Sequence, residues 1–273
     1  MHTAIVVFTK VPKVGETKTR LTTARDGILS PEEAKALYEG CLLDAINCCI
    51  AADCGDVLIC YNQGGDRVYL EELLAGLAEP HKIKEFFCDR GGTFDACMQF
   101  AGDYILNNGK KSRMYDAIVI VGGDLPTLQP AHVRNSVRKL EKLSASSAGT
   151  AAAITAGEPV GAALVEGACQ EGGFSIIGYT YNTPFEFDRV FYNMDGITAL
   201  DMVVEKARER KIPFACVDMV PDVDIPLDLA SMIPVVKSLQ LAACYDSEIL
   251  PPVNTIKVLQ ELALEATAPP PGR

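Results

Sequence analysis

Ala117-Ile118-Val119-Ile120-Val121-Gly122-Gly123-Asp124-Leu125-Pro126 is the stretch on which the fold turns. Its first five residues are apolar without polar alternation, so as a strand they need cover on both faces, the condition of a central strand in a sheet packed between helices. Outward from it, short β-type runs alternate with longer runs of helical period, which predicts an α/β fold with a mixed, mostly parallel sheet flanked by helices. On the N-terminal side the pattern predicts strands at 3–9, 56–61 and 83–87. Helices are predicted near 68–77 and 93–106, and Ser30-Pro31-Glu32-Glu33 reads as a capping box with proline at the first helical position, opening a helix to about residue 52. On the C-terminal side helices are expected at 130–143, 197–210 and 228–241. Strands are expected at 151–155, 161–165, 174–179 and 213–218, and the small residues at 144–149 read as a flexible connection.

A chain of 273 residues, 48% hydrophobic and 22% charged, carries enough apolar material for one large core. The expected division is a main domain at 1–243 and a helical extension at 244–273. That extension holds an amphipathic segment at 255–264 and ends in Ala268-Pro269-Pro270-Pro271, too proline-rich to pack. The net charge of -11 opposes a nucleic-acid partner. No run of eighteen apolar residues or basic leader points to a membrane or to export, so a cytoplasmic protein is expected. Ten cysteines without a Cys-x-x-Cys pair, several of them in helical or strand patterns, read as small buried hydrophobes in a reducing compartment. The composition leaves a homodimer open.

Four segments carry chemistry. The loop Lys10-Val11-Pro12-Lys13-Val14-Gly15-Glu16-Thr17-Lys18-Thr19-Arg20-Leu21 reverses the sign of the chain: residues 1–25 sum to +4, which leaves -15 for the remainder. A basic, glycine-bearing loop at the carboxyl end of the first strand is where open α/β sheets bind phosphates, although a solvated basic loop has the same composition. Asp124, directly after the central strand, is placed at the sheet edge, either to hold a hard cation or to cap the next helix. Asp222 and Asp224 in Asp218-Met219-Val220-Pro221-Asp222-Val223-Asp224 point to one side of an extended chain and can share a metal, while Asp228 reads as a helix cap. Glu171-Gly172-Gly173-Phe174 opens a strand with paired glycines, and Gly91-Gly92-Thr93 precedes a helix; each reads as a ligand approach or as a plain turn.

In this order and spacing, these segments resemble the glycosyltransferase-A-like family grouped as DUF2064. The carrying residues are Lys-x-Pro-x-x-Gly-x-x-Lys-Thr-Arg-Leu at 10–21, Gly-Gly-Asp-Leu-Pro-Thr-Leu at 122–128, Glu-Gly-Gly-Phe-Ser-Ile-Ile-Gly at 171–178 and Asp-Val-Asp-Ile-Pro-Leu-Asp-Leu at 222–229. More distantly the chain is similar to 2-phospholactate guanylyltransferase. The resemblance covers about residues 3–235 and implies a nucleotide-diphospho-sugar transferase (GT-A-like) fold. It also implies phosphate contacts from Lys18 and Arg20 with help from Lys10, Lys13, Gly15, Thr19 and Gly123, and base or ribose contacts near Gly91, Gly92 and Thr93. A Mg²⁺ or Mn²⁺ site is implied at Asp124, Asp222 and Asp224, with an acceptor end at Glu171, Gly172, Gly173 and Phe174. The chain departs from the family in carrying Glu171 and Phe174 where Asp and Tyr are usual, and in having no tryptophan.

The leading expectation is metal-dependent nucleotidyl transfer from a nucleoside triphosphate to a small anionic acceptor, with Lys18, Arg20 and Asp124 as its catalytic residues. No Ser-His-Asp or Cys-His signal competes with it. Sugar transfer from a nucleotide sugar is the alternative, and a nucleotide-binding module without turnover is the third reading.

Overall fold

The computed structural model describes residues 1–107 and 113–267, so the proline-rich 268–271 tail lies outside the described residues. Seven strands form one sheet: β1 Thr3–Thr9, β2 Asp56–Tyr61, β3 Ile83–Cys88, β4 Ala117–Gly122, β5 Leu164–Ala168, β6 Phe174–Thr180 and β7 Phe214–Val217. Their spatial order is β3-β2-β1-β4-β6-β5-β7. All neighbours run parallel except β6, which is antiparallel to both β4 and β5. The chain winds outward from β1 through β2 to β3 and then returns to place β4 on the other side of β1. That reversal opens a crevice at the carboxyl ends of β1 and β4, where α/β sheets receive ligands.

The α-helices among the described residues are α1 Pro31–Ala52, α2 Arg67–Leu74, α3 Phe94–Leu106, α4 Pro130–Ser144, α5 Ser147–Ala152, α6 Ala199–Glu209, α7 Pro226–Ala242 and α8 Val253–Glu261. One face of the sheet packs Ile5, Val7, Val119 and Val121 against α1, α2 and α4. The other packs Val6, Ile118, Ile120 and Ile177 against α3 and α6, so β4 is covered on both sides as its unbroken apolar run requires. Helix α1 is buried nearly all round because a third cluster lies on its outer side. There Leu37 and Cys41 meet Leu229 and Ile233 of α7, Ile256 and Leu259 of α8, and also Leu21 and Val223 from the two functional segments. No helix among the described residues is long and apolar enough to cross a membrane.

The α1 capping box forms as read: the Ser30 hydroxyl accepts from Glu33 N, and Ser30 N donates to the Glu33 carboxylate. Two expectations fail around residue 150. Helix α5 takes 147–152, from inside the expected 144–149 connection into the expected 151–155 strand, capped by the Ser146 hydroxyl on Gly149 N, and residues 153–155 form no strand. The run is rich in alanine, the best helix former, and a serine cap closes its start. The following strand begins at Leu164 rather than at 161, because Gly161 N and Ala162 N are spent on Ser144 O and Gly149 O. Cys41, Cys48, Cys49 and Cys60 are buried as small hydrophobes, but Cys216, on the edge strand β7, is exposed.

Helix α8 has no side-chain cap of its own at Pro252. The Asp44 carboxylate of α1 supplies one, accepting from Asn254 N at 3.1 Å, Asn254 Nδ2 at 2.8 Å and Thr255 N at 2.7 Å. Gly40, one turn earlier, lets the helices touch: a Cβ there would lie 3.1 Å from Asn254 O. Asp44→Ala would leave buried N–H groups unpaired, and we expect it to cost ~2–3 kcal/mol. Urea unfolding reads the loss, and faster amide exchange in 253–261 identifies α8 as the released element.

Candidate active site

The loop after β1 is folded rather than loose. Thr17 N and Glu16 N donate to Lys13 O, the Thr17 hydroxyl accepts from Lys13 N, and the Asn62 amide oxygen accepts from Val11 N. Lys18 then adopts a left-handed conformation (φ 48°), and buried Leu21 anchors the far end of the loop. The result turns the Lys18 side chain inward, leaving it 9% exposed. Its ammonium donates to Asp124 Oδ2 at 2.5 Å and to Asp224 Oδ1 at 2.6 Å and lies 5.6 Å from the centre of the Tyr38 ring. Tyr38 is itself held by a 2.6 Å hydrogen bond with Thr9.

The closing segment is fixed by the same logic. Val223 is buried in the outer cluster, so Asp222 and Asp224 on either side of it turn to the crevice. The Gln170 amide brackets Asp222, donating to its carbonyl and accepting from its N–H. Asp228 reaches back from the first turn of α7 to accept from Asp224 N and Ile225 N. Oxygens of Asp124, Asp222 and Asp224 thereby come within 4.8 Å of one another, a group drawn from two segments about a hundred residues apart.

The electrostatics are uneven. Burial pushes the Lys18 ammonium down, but the two carboxylates it bonds hold it well above the usual lysine range. Burial raises Asp224, yet the charge and hydrogen bond of Lys18, with Arg20 and Lys10 behind it, bring it below the usual carboxylate range. At Asp222 the Lys18 charge only partly offsets the other effects, and burial together with Asp124 and Asp224 pushes it up to about 6. A cation held at this point would relieve that repulsion.

Of the residues read from sequence, Lys10, Lys18, Thr19, Arg20, Gly91, Gly92, Thr93, Gly123, Asp124, Gly173, Phe174, Asp222 and Asp224 all line one 680 Å³ crevice. Arg20 stands 3.7 Å from Asp224, and Gly92 has no atom within 4 Å of its would-be Cβ. Thr93 both lines the crevice and caps α3 through Ala96 N. Asp124 caps nothing, since α4 starts six residues later.

Four expected residues fall outside the lining. Lys13 is exposed and paired with Glu16 at 2.5 Å, and Gly15 supplies the positive φ of the turn (76°) rather than a ligand approach. Glu171 sits in a left-handed turn (φ 56°), and a Cβ on Gly172 would meet the Thr198 side chain at 2.6 Å, so that glycine serves packing on α6. Tyr38, Asn62, Gln170 and Phe191 were not read from the sequence. Tyr38, Asn62 and Phe191 lie in contexts without a motif, Gln170 heads the Glu171-Gly172-Gly173-Phe174 segment without having been assigned a role, and only the tertiary arrangement shows what the four do.

Glu166 on β5 is 3% exposed with Oε2 unpartnered, and burial, reinforced by Asp201, raises it to about 7. Since the folded value lies above the ordinary 4.5, folding favours the protonated carboxyl, and stability falls as pH rises from about 4.5 to about 7. Glu166→Gln removes that slope. We expect its stability relative to wild type to grow by ~2–3 kcal/mol between pH 5 and pH 8, read from urea midpoints; parallel profiles would refute the assignment.

A sheet of this order, with a cation-bearing loop after β1 and carboxylates gathered at the β1–β4 switch point, is the nucleotide-diphospho-sugar transferase (GT-A-like) class of fold. The model of the family described as "Uncharacterized protein conserved in bacteria (DUF2064)" matches residues 45–194, and the chain belongs to that family. Among solved structures, a "putative nucleotide-diphospho-sugar transferase" from Desulfovibrio desulfuricans G20 superposes with a TM-score of 0.68 at 22% identity, covering 96% of this chain and 98% of that one. At that identity the likeness is one of fold. A cytidylyltransferase from Leptospira borgpetersenii gives 0.46 at 14% identity over 96% and 95% of the two chains. A 4-diphosphocytidyl-2C-methyl-D-erythritol synthase from Anaerococcus prevotii gives 0.46 at 7% over 88% and 96%. No curated protein matches the chain.

Proposed function

We propose that the chain is a divalent-cation-dependent nucleotidyltransferase acting on a nucleoside triphosphate. The observation that carries this reading is the meeting of Lys18 with Asp124 and Asp224 at the mouth of the β1–β4 crevice, with Arg20 and Lys10 beside them. The three carboxylates that converge here form a donor set suited to Mg²⁺ or Mn²⁺, and the raised Asp222 favours such an ion. Asp124, Asp222 and Asp224 would hold it, and it would supply charge neutralisation on the phosphates.

The chain's own groups do the rest. Lys18, Arg20 and Lys10 bind the triphosphate, and Gly92 and Thr93 at the start of α3 leave room for the ribose or base. An acceptor oxygen forms a bond to the α-phosphorus as the bond from that phosphorus to the oxygen bridging the α- and β-phosphates breaks, and that bond's electron pair leaves on the bridging oxygen of pyrophosphate. This chemistry depends on positioning and charge rather than on a protein nucleophile. Three converging cations favour a triphosphate over the diphosphate of a nucleotide sugar, which remains the second reading.

A melting-temperature series with nucleoside triphosphates and nucleotide sugars, each with and without Mg²⁺, tests the proposal. We expect a rise of about 5–10 °C with a saturating triphosphate and Mg²⁺ together and less with either alone. A larger rise with a nucleotide sugar favours sugar transfer. No rise with any nucleotide overturns both readings. Pyrophosphate release then separates turnover from binding without turnover.

A further inference from the structure

The geometry points to an uncharged, hydroxyl-bearing ring, such as a sugar or a cyclitol, as the acceptor, its apolar face lying on the open Phe94 ring beside Phe174 and Phe191, whose planes are turned 72° (Phe94 to Phe191) and 49° (Phe174 to Phe191) from one another. This rests on the transferase reading and concerns the second substrate of the same crevice. Phe8, Phe94, Phe191 and Phe174 form a continuous row of rings, with centroids 5.7, 4.5 and 5.2 Å apart along it. The row lines the crevice beyond the metal-type carboxylates, and Phe94 is 41% exposed there. A phenyl ring left this open at a ligand site offers a stacking surface.

The shelf is built in place. Phe191 N donates to Asp95 Oδ1 at 2.8 Å and Phe187 N to Gln99 Oε1 at 2.9 Å, both acceptors on α3, while Phe187 itself is fully buried below. The backbone that carries Phe191 is therefore held in place before binding, which saves the entropy that a loose loop would cost.

Charge decides what stacks on them. Lys10, Lys18 and Arg20 are the lysines and arginines lining the crevice among the described residues, and all belong to the first loop. None accompanies Phe174, Ile177, Met98 or Phe191. Arg90, next in sequence to the crevice, lies over the Phe100 ring, and Arg189 is engaged by Asp195. Beyond Phe94 and Phe191 the surface opens into a second cleft lined by Asp95, Asp103, Glu186 and Asp188, with Arg189 as its cation. An anionic acceptor, the expectation from sequence, would lose hydration here and face like charge. A neutral ring would instead place C–H groups on the Phe94 face and donate its hydroxyls to the carboxylates beyond.

Saturation-transfer NMR with methyl β-D-glucopyranoside, myo-inositol and glucose 1-phosphate, in the presence of saturating Mg²⁺ and ATP, tests this. The glucoside or the cyclitol, whichever source the site prefers, is expected to bind, and Phe94→Ala to weaken it about five-fold while Phe94→Tyr restores it. Glucose 1-phosphate is expected to give no transfer once ATP fills the cationic end. Tighter binding of the sugar phosphate, no binding of either neutral ring, or binding indifferent to Phe94→Ala overturns the inference. The ATP-induced melting shift of Phe94→Ala confirms its fold and is read separately. If ATP gives no shift even in wild type, the nucleotide reading fails while Phe94-dependent ring binding still decides this one.

Discussion

Asp124→Ala is expected to weaken Mg²⁺-dependent nucleotide binding at least ~100-fold. Asp222 and Asp224 come from one extended segment and approach the crevice from the side of the closing loop, whereas Asp124 approaches from β4. Without it, any cation is held from one direction only, and Lys18 loses one of its two carboxylate partners. The freed ammonium then pairs fully with Asp224, withdrawing a second ligand. The side chain of Asp124 is 25% exposed and caps no helix, so the ligand-free melting temperature should move little. Calorimetric titration of a nucleoside triphosphate with Mg²⁺ checks the prediction, and Asp124→Asn, which keeps shape and loses charge, should behave like the alanine variant. Unchanged affinity in both would remove the metal assignment.

What could be read before folding, and what could not, divides along physical lines. The β4 run predicted its own position because five apolar residues without alternation have one stable environment, and the structure covers them on both faces. The α1 start was legible because a capping box is a local hydrogen-bond pattern written in four adjacent residues. The Asp222–Asp224 pair was legible by strand alternation, and buried Val223 between them is the reason it holds. Lys13 and Lys18 could not be separated by composition. A left-handed backbone at Lys18 turns one inward, while Glu16 holds the other outside. Gly172 likewise reads as a ligand approach until α6 is in place and Thr198 fills the space beside it. The aromatic row was invisible for the same reason, since Phe94, Phe174 and Phe191 meet only after three elements converge.

Lys18→Met should give opposite changes for two ligands: tighter binding of Mn²⁺ alone and weaker binding of the triphosphate. In the folded chain the Lys18 ammonium is already a cation within the carboxylate group, bonded to Asp124 and Asp224 and nearly removed from solvent. It is tethered, so an incoming metal ion must displace it while no phosphate is present to receive it. A triphosphate changes that balance by offering the ammonium new anionic partners as it brings the metal to the aspartates. Methionine keeps the length and removes the charge, so the metal no longer has to displace a tethered ammonium, and its affinity is expected to rise about ten-fold or more. The triphosphate loses its most buried cation and should bind about 100-fold less tightly. The same substitution removes the ammonium bonded to Asp124 and Asp224 and leaves only the more distant Arg20 beside Asp224, so in metal-free buffer the variant should be ~3 kcal/mol less stable, and Mn²⁺ should return that stability. Paramagnetic titration of Mn²⁺ and melting curves with and without the ion read both effects. Equal Mn²⁺ affinity in the two proteins, with no rescue by the ion, would show that Lys18 and the metal do not share the aspartates.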